Sequence, residues 1–187
     1  MKEKDIIEFA RIVCKLKRVS RTGWKMRKVK NPESVADHVF RATLLGMLIA
    51  DLEKLNTEKI MRMLLLHDIA ETLTGDVPLI KKYKNAERFR KEEEKSVKKI
   101  FSLLPKDLMK KYQIIWEEME NGITKESKLC KDIDKLEMMI QALDYEKEDK
   151  KNRKRLDVFW NWDRNFPKRY LLTIKVYKEL EKERGMK

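Results

Sequence analysis

The sequence predicts an all-α protein folded as a single helical bundle. Three observations carry that expectation. Apolar residues recur at spacings of three and four, the period of a helix with one buried face. With 5 Gly and 4 Pro among 187 residues, the chain has little of the turn chemistry that a β-protein needs. Apolar residues make up 42% of the chain, enough for one domain of this length to build a core. No internal repeat or linker divides the chain. One domain is expected over residues 1–187, with its core over about 5–180.

The elements follow in order. Residues 3–18 predict an amphipathic helix with Ile6, Phe9, Ala10, Val13 and Leu16 on one face. A basic loop follows from Val19, containing Gly23 and closing at Pro32. Ser34 with Asp37 three residues on resembles a capping box and starts a helix to about Leu55. Thr57 begins the next helix, expected to run to about Leu73 before Thr74-Gly-Asp-Val-Pro78 breaks it. A charged helix spans about Asn85 to Leu104, and another about Lys106 to Met119 before Asn121-Gly122. A further helix covers about Lys125 to Tyr145. Residues 146–155 are a charge run, expected as an exposed loop or frayed helix end. The last helix is predicted from about Pro167 to Arg184.

Charged residues make up 41% of the chain and its net charge is +13, which leaves three readings open. These are a solvated lysine-rich exterior, attraction of a phosphorylated substrate, and a nucleic-acid surface. Cys14 and Cys130 are too few for a disulfide framework and read as small core residues in a reducing compartment. The N-terminus lacks an apolar signal core, and no apolar stretch approaches the ~20 residues that span a bilayer. A cytoplasmic protein without a membrane partner is expected.

The chain holds two histidines, His38 and His67. On the second long helix His38, Ala42, Leu45, Ile49 and Leu52 form one stripe, so His38 faces the core. On the third, Ile60, Leu64, His67 and Glu71 share a face. Asp68 is rotated about 100° from His67 around an ideal helix. Downstream, Ile133, Leu136, Ile140 and Leu143 form a stripe with Asp134 at its edge, beside Cys130, Glu137 and Gln141. A carboxylate at a core margin needs a partner, and a divalent metal is one. Imidazole and carboxylate donors suit several transition metals without selecting one. His38, His67, Asp68 and Asp134 form a candidate ligand set. Glu71, one turn beyond, is a candidate proton-transfer group. The bland reading of each histidine is a hydrogen-bonded core residue.

At these residues the sequence resembles the HD-domain metal-dependent phosphohydrolases, whose signature is His…His-Asp…Asp. Arg21-Thr-Gly-Trp24, Asn31-Pro-Glu-Ser-Val-Ala-Asp-His38, His67-Asp-Ile-Ala-Glu-Thr-Leu-Thr-Gly-Asp76 and Lys131-Asp-Ile-Asp-Lys-Leu-Glu-Met138 resemble the 5′-deoxynucleotidase branch. The resemblance covers about residues 5–180. It implies an all-helical fold, a homodimer, and release of phosphate from deoxyribonucleoside 5′-monophosphates by an attacking water. It implies one divalent metal, with cobalt or manganese supporting activity. It assigns His38, His67, Asp68 and Asp134 to the metal and Glu71 to catalysis. Arg21 is assigned to the phosphate and Trp24 to a place beside the sugar. Asp76 is assigned to the sugar or to positioning of the leaving oxygen. In the bacterial branch Arg and Trp are adjacent. Here Thr-Gly separates them, as in the eukaryotic and archaeal group.

Two other readings compete. One keeps the superfamily but exchanges the substrate for a nucleoside triphosphate. The cyclic-dinucleotide branch is not matched, because Ile-Ala-Glu rather than Gly-Lys follows His67-Asp68. The other is a basic helical nucleic-acid-binding protein, resting on Lys15, Lys17, Arg18, Arg21, Lys25, Arg27, Lys28 and Lys30 around Trp24 and Met26. No helix-turn-helix or zinc signature accompanies that patch, so a nucleic-acid partner is not expected. The aromatic run Phe159–Phe166 is expected to pack the last helix or a dimer contact.

Overall fold

The helix Lys125–Glu148, 24 residues long, is the axis on which the other long helices pack. It earns that place by sequence: Leu129, Cys130, Ile133, Leu136, Met139 and Ala142 are all fully buried. The computed structural model describes residues 1–78, 85–160 with the backbone of 161 and 162, and 169–186. In chain order the helices are α1 (Glu3–Cys14), α2 (Thr22–Met26), α3 (Val35–Leu52), α4 (Thr57–Leu66) and α5 (Glu71–Thr74). They continue as α6 (Ala86–Phe101), α7 (Lys106–Asn121), α8 (Lys125–Glu148), α9 (Lys151–Trp162) and α10 (Leu171–Arg184). A 3₁₀ turn, Lys15–Arg18, extends α1. The all-α expectation holds: the described residues contain no strand, only an isolated bridge between Ser20 and Ser34.

Helices α3, α4, α7, α9 and α10 all contact α8. The main core gathers Ile60, Met63, Leu64, Ile133, Leu136 and Trp160 between them. A second cluster joins Ile69 and Ala70 to Val97, Ile100, Phe101 and Trp116, and Phe9, Ile12 and Val13 of α1 cover it. The expected capping box is present. The Asp37 N–H donates to Ser34 Oγ at 3.2 Å, and the Ser34 N–H donates to Asp37 Oδ2 at 2.8 Å.

Several expectations are corrected. The basic loop contains α2, which buries Trp24 and so forms a turn of helix around its one large apolar side chain. Helix α4 stops at Leu66, not Leu73. Residues 67–70 form tight turns in which the Ile69 N–H donates to Leu66 O and the Glu71 N–H to Asp68 O. His67 Nδ1 also bonds the Leu64 carbonyl, a helix acceptor that the ring claims for itself.

The charge run 146–155 is neither loop nor frayed end. Only Asp149 and Lys150 interrupt it. Asn152 is buried and donates from Nδ2 to Tyr145 O at 2.9 Å, bridging the break, and Leu156 is fully buried. On α3 the buried stripe ends at Ile49. Leu52 is 61% exposed and joins Phe40, Leu44 and Leu48 on an outward face. Cys130 is buried as expected, but Cys14 is exposed because α1 covers the bundle only along Phe9, Ile12 and Val13. The last helix begins at Leu171. Pro167, and Trp162 and Phe166 of the aromatic run, lie outside the described side chains.

Candidate metal centre

Three stretches of chain converge at one end of the α3–α4–α8 contact. His38 projects from the first turn of α3 and is fully buried. His67 caps the C-terminus of α4, and Asp68 follows in the tight turn. Asp134 comes from the second third of α8. His38 Nε2 lies 3.3 Å from His67 Nε2 and 3.1 Å from Asp134 Oδ1. His67 Nε2 lies 3.2 Å from Asp68 Oδ2 and 3.9 Å from Asp134 Oδ1, and Asp68 Oδ2 is 3.8 Å from His38 Nε2. Donors about 2.1 Å from one ion, at right angles or tetrahedral angles, stand ~3.0–3.4 Å apart. His38, His67 and Asp134 bring their donor atoms within 4.8 Å of one another, as ligands of one ion would, and Asp68 borders that group through His67.

Both rings are oriented for it. His67 Nδ1 lies 2.7 Å from the Leu64 carbonyl, which can only accept, so the proton belongs on Nδ1 and Nε2 is left bare. His38 Nδ1 meets the buried Glu137 carboxylate, with the same consequence. Outer partners of this kind commonly fix the tautomer of a metal-binding histidine. The donor set therefore fits a divalent transition metal. The tight turn after α4 matters here: on an ideal helix His67 and Asp68 would diverge, whereas the turn brings their polar atoms together.

Without an ion the neighbouring acids draw a second proton onto His38, one that a bound cation would displace from Nε2. Burial and Arg21 act to lower the His38 pKa, yet the bonds to Asp134 and Glu137 push it up to about 9. Burial would raise the Asp134 carboxyl, but Lys135, His38 and His67 hold it well below the usual range. Asp68 is held low in the same way, against burial, by His67, Arg21 and His38. The site is a concentration of negative charge facing two imidazoles, the arrangement a cation relieves.

Arg21 leaves the segment before α2 and reaches Asp68 at 3.3 Å. Burial opposes its charge, but Asp68, Asp134, Asp76 and Glu71 together hold the guanidinium charged more firmly than usual. Arg21 therefore answers to the charge of four acids, with Asp68 in direct contact. Glu71 opens α5 and is 4% exposed. Asp76 lies beyond Gly75, whose φ of 72° lets the chain turn back. The Asp76 carboxylate accepts from the Thr22 N–H, and its carbonyl accepts from Thr22 Oγ1 at 2.8 Å. Asp76 therefore ties down the residue next to Arg21.

Trp24 stands elsewhere. It is 2% exposed, lies against Tyr145 and Phe159, and donates from Nε1 to Glu33 Oε1 at 2.9 Å. Its ring is an anchor for the Arg21 segment and offers almost no open face to a sugar. Glu33 and Arg41, to which sequence reasoning assigned nothing, also border the centre. Their signal was weak: Arg41 is one helical turn past His38, as Glu137 is one turn past Asp134.

A helical bundle that gathers two Nε2 atoms and two carboxylates, with a partly buried arginine against one of them, defines a class of metal-binding helical hydrolase scaffolds. The chain belongs to the HD domain family, whose pattern matches residues 13–169. It is 38% identical to the 5′-deoxynucleotidase HDDC2 of Homo sapiens over 97% of this chain and 87% of that protein. It is 36% identical to the 5′-deoxynucleotidase hdd1 of Schizosaccharomyces pombe over 78% of this chain and 75% of that one. A Pyrococcus horikoshii OT3 protein known from its crystal structure superposes with a TM-score of 0.78 at 32% identity, covering 97% of this chain and 99% of that one.

Proposed function

We propose that this protein is a metal-dependent phosphomonoesterase that releases phosphate from deoxyribonucleoside 5′-monophosphates. The observation that carries the reading is the convergence of His38, His67 and Asp134, with Asp68 3.2 Å from His67 Nε2 and Arg21 beside Asp68. Relatives named 5′-deoxynucleotidase, matched over most of their length, supply the substrate class.

The four donors are the proposed ligands of one divalent ion, cobalt or manganese being the first choices. When bound, such an ion supplies a Lewis acid that brings water toward its nucleophilic form near neutral pH. Arg21 holds the phosphate, its fork suited to two phosphate oxygens. Glu71, buried in the same ring of acids, takes the proton from the attacking water. Asp76 keeps Arg21 in register by holding Thr22. Trp24 supports the same segment from beneath.

The reading extends to assembly and location. Phe40, Leu44, Leu48 and Leu52 make an exposed apolar face on α3, which supports a homodimer. No helix among the described residues is long and apolar enough to cross a membrane. A cytoplasmic setting agrees with the sequence.

The test is phosphate release from deoxy- and ribonucleoside 5′-monophosphates and from nucleoside triphosphates. The protein is metal-stripped and then given manganese, cobalt, magnesium or zinc, with His67→Ala as control. Metal-dependent release from deoxy monophosphates, lost in the variant, is the expected outcome. Release only from triphosphates overturns the substrate assignment. Release that persists in His67→Ala overturns the site.

A further inference from the structure

The two histidines of the centre are oriented by different means. His67 Nδ1 uses a neutral backbone carbonyl. His38 Nδ1 uses Glu137, which is 0% exposed and carries a charge into the core. Burying a carboxylate is expensive, so its partners are informative. Glu137 Oε1 receives Arg41 Nε at 2.8 Å and lies 2.6 Å from Arg41 Nη2. Arg41 is itself fixed along α8, donating to Gln141 Oε1 at 2.6 Å and to Asp144 Oδ2 at 3.2 Å. One oxygen of Glu137 thus serves Arg41 and the other serves His38.

Glu33, His38 and Glu137 also bring polar atoms within 4.8 Å of one another, close enough to suggest a second ion. Their partners argue otherwise. Glu33 Oε1 already accepts from Trp24, and Arg41 already neutralises Glu137. A cation at that point would displace one of these donors. The cluster is built to hold a ring, not an ion.

We propose that Glu137, itself held by Arg41, is a positioning residue that fixes the proton of His38 on Nδ1 and so aims its Nε2 at the ion site. The inference rests on the metal-centre reading above. Glu137→Gln makes a sharp case. Glutamine offers one oxygen and one NH₂ group. Arg41 has donors only and does not give up its proton, so it claims the oxygen. The NH₂ group then faces His38 Nδ1, which must become the acceptor. The ring proton moves to Nε2, the atom the ion needs.

Three measurements test this. In E137Q, manganese binding by calorimetry weakens about 10- to 100-fold, the usual effect of losing an outer partner. In R41M/E137Q the glutamine oxygen is free to accept from Nδ1–H, and binding recovers part of that loss. The third needs no variant. With only two histidines in the chain, the ring-nitrogen NMR spectrum of zinc-loaded wild type contains two rings, and His38 is expected to carry its proton on Nδ1. Equal manganese affinity in wild type and folded E137Q overturns the inference while leaving the metal reading intact. So does a wild-type His38 protonated on Nε2, or a double variant no tighter than E137Q. Wild type that binds neither manganese nor zinc overturns the metal reading, and this inference with it.

Discussion

Glu71 is the residue whose removal separates chemistry from binding. It is absent from the converging donor set, yet it is buried and its charge acts on Arg21. Glu71→Gln is expected to lower phosphate release by about 10²- to 10⁴-fold, the range for loss of a general base. Manganese binding measured by calorimetry should persist. Asp132 provides a prediction of a different kind. Burial pushes its carboxyl up to about 6, although Arg169 and Thr173 act against the shift. A folded value above the ordinary one means the folded state binds the proton more tightly. Asp132 therefore costs stability progressively as pH rises through about 6, and costs nothing below the ordinary carboxylate value. Asp132→Asn should raise the melting temperature by several degrees at pH 8, roughly 2–3 kcal/mol, and leave it unchanged near pH 4. At this scale the grouping of His38, His67 and Asp134 was legible in the sequence because histidines are scarce and fall on helical stripes. The Arg41–Glu137 pair was not, because it joins helices 96 residues apart in the chain and no local pattern records that distance.

Gly46 lies where α3 packs closely on α4. A Cβ there would stand 2.2 Å from Leu64 Cδ1 and 3.3 Å from Ile60 Cγ2, both in fully buried side chains. Gly46→Ala gains about 1 kcal/mol of helix propensity and loses about 1–3 kcal/mol to overpacking. The second effect wins, and thermal melts should show a drop of a few degrees. Because Leu64 also presents the carbonyl that orients His67, manganese affinity should fall in the same variant. The long helices were legible from periodicity and caps: Ser34, Asn56 and Thr124 all accept an N–H of the first turn as N-caps do. The errors lie where side chains compete with the backbone. His67 ends α4 early, Trp24 folds α2 out of a basic loop, and Asn152 joins α8 to α9 across a charge run. Each depends on a partner that helical periodicity does not register.

The whole molecule presents an apolar face on a strongly basic surface. Phe40, Leu44, Leu48 and Leu52 repeat at four-residue intervals along α3 and are all exposed, although His38 on the same helix is fully buried. A Leu44→Glu/Leu48→Glu variant should sediment as a monomer where the wild type sediments as a dimer. A monomeric wild type would remove the dimer from the proposal. The exposed face was hidden in the sequence, because α3 is apolar on both sides and periodicity alone chose one. The Arg21 segment has a consequence of its own. The Ser20–Ser34 bridge, with the Arg21 N–H donating to Glu33 O at 3.0 Å and the Val35 N–H to Val19 O at 2.8 Å, pinches a short stretch of chain into a closed noose. Arg21 and His38 sit at its neck, while Lys25–Lys28 and Lys30 project from its tip and are exposed. The noose is also nailed to the bundle from within its span: Trp24 and Val29 are buried in the main core and Arg155 Nη1 donates to Lys28 O at 3.4 Å. Its exposed charges therefore ride on a fixed frame, and Arg21 cannot slide along the chain without tearing that frame from the core.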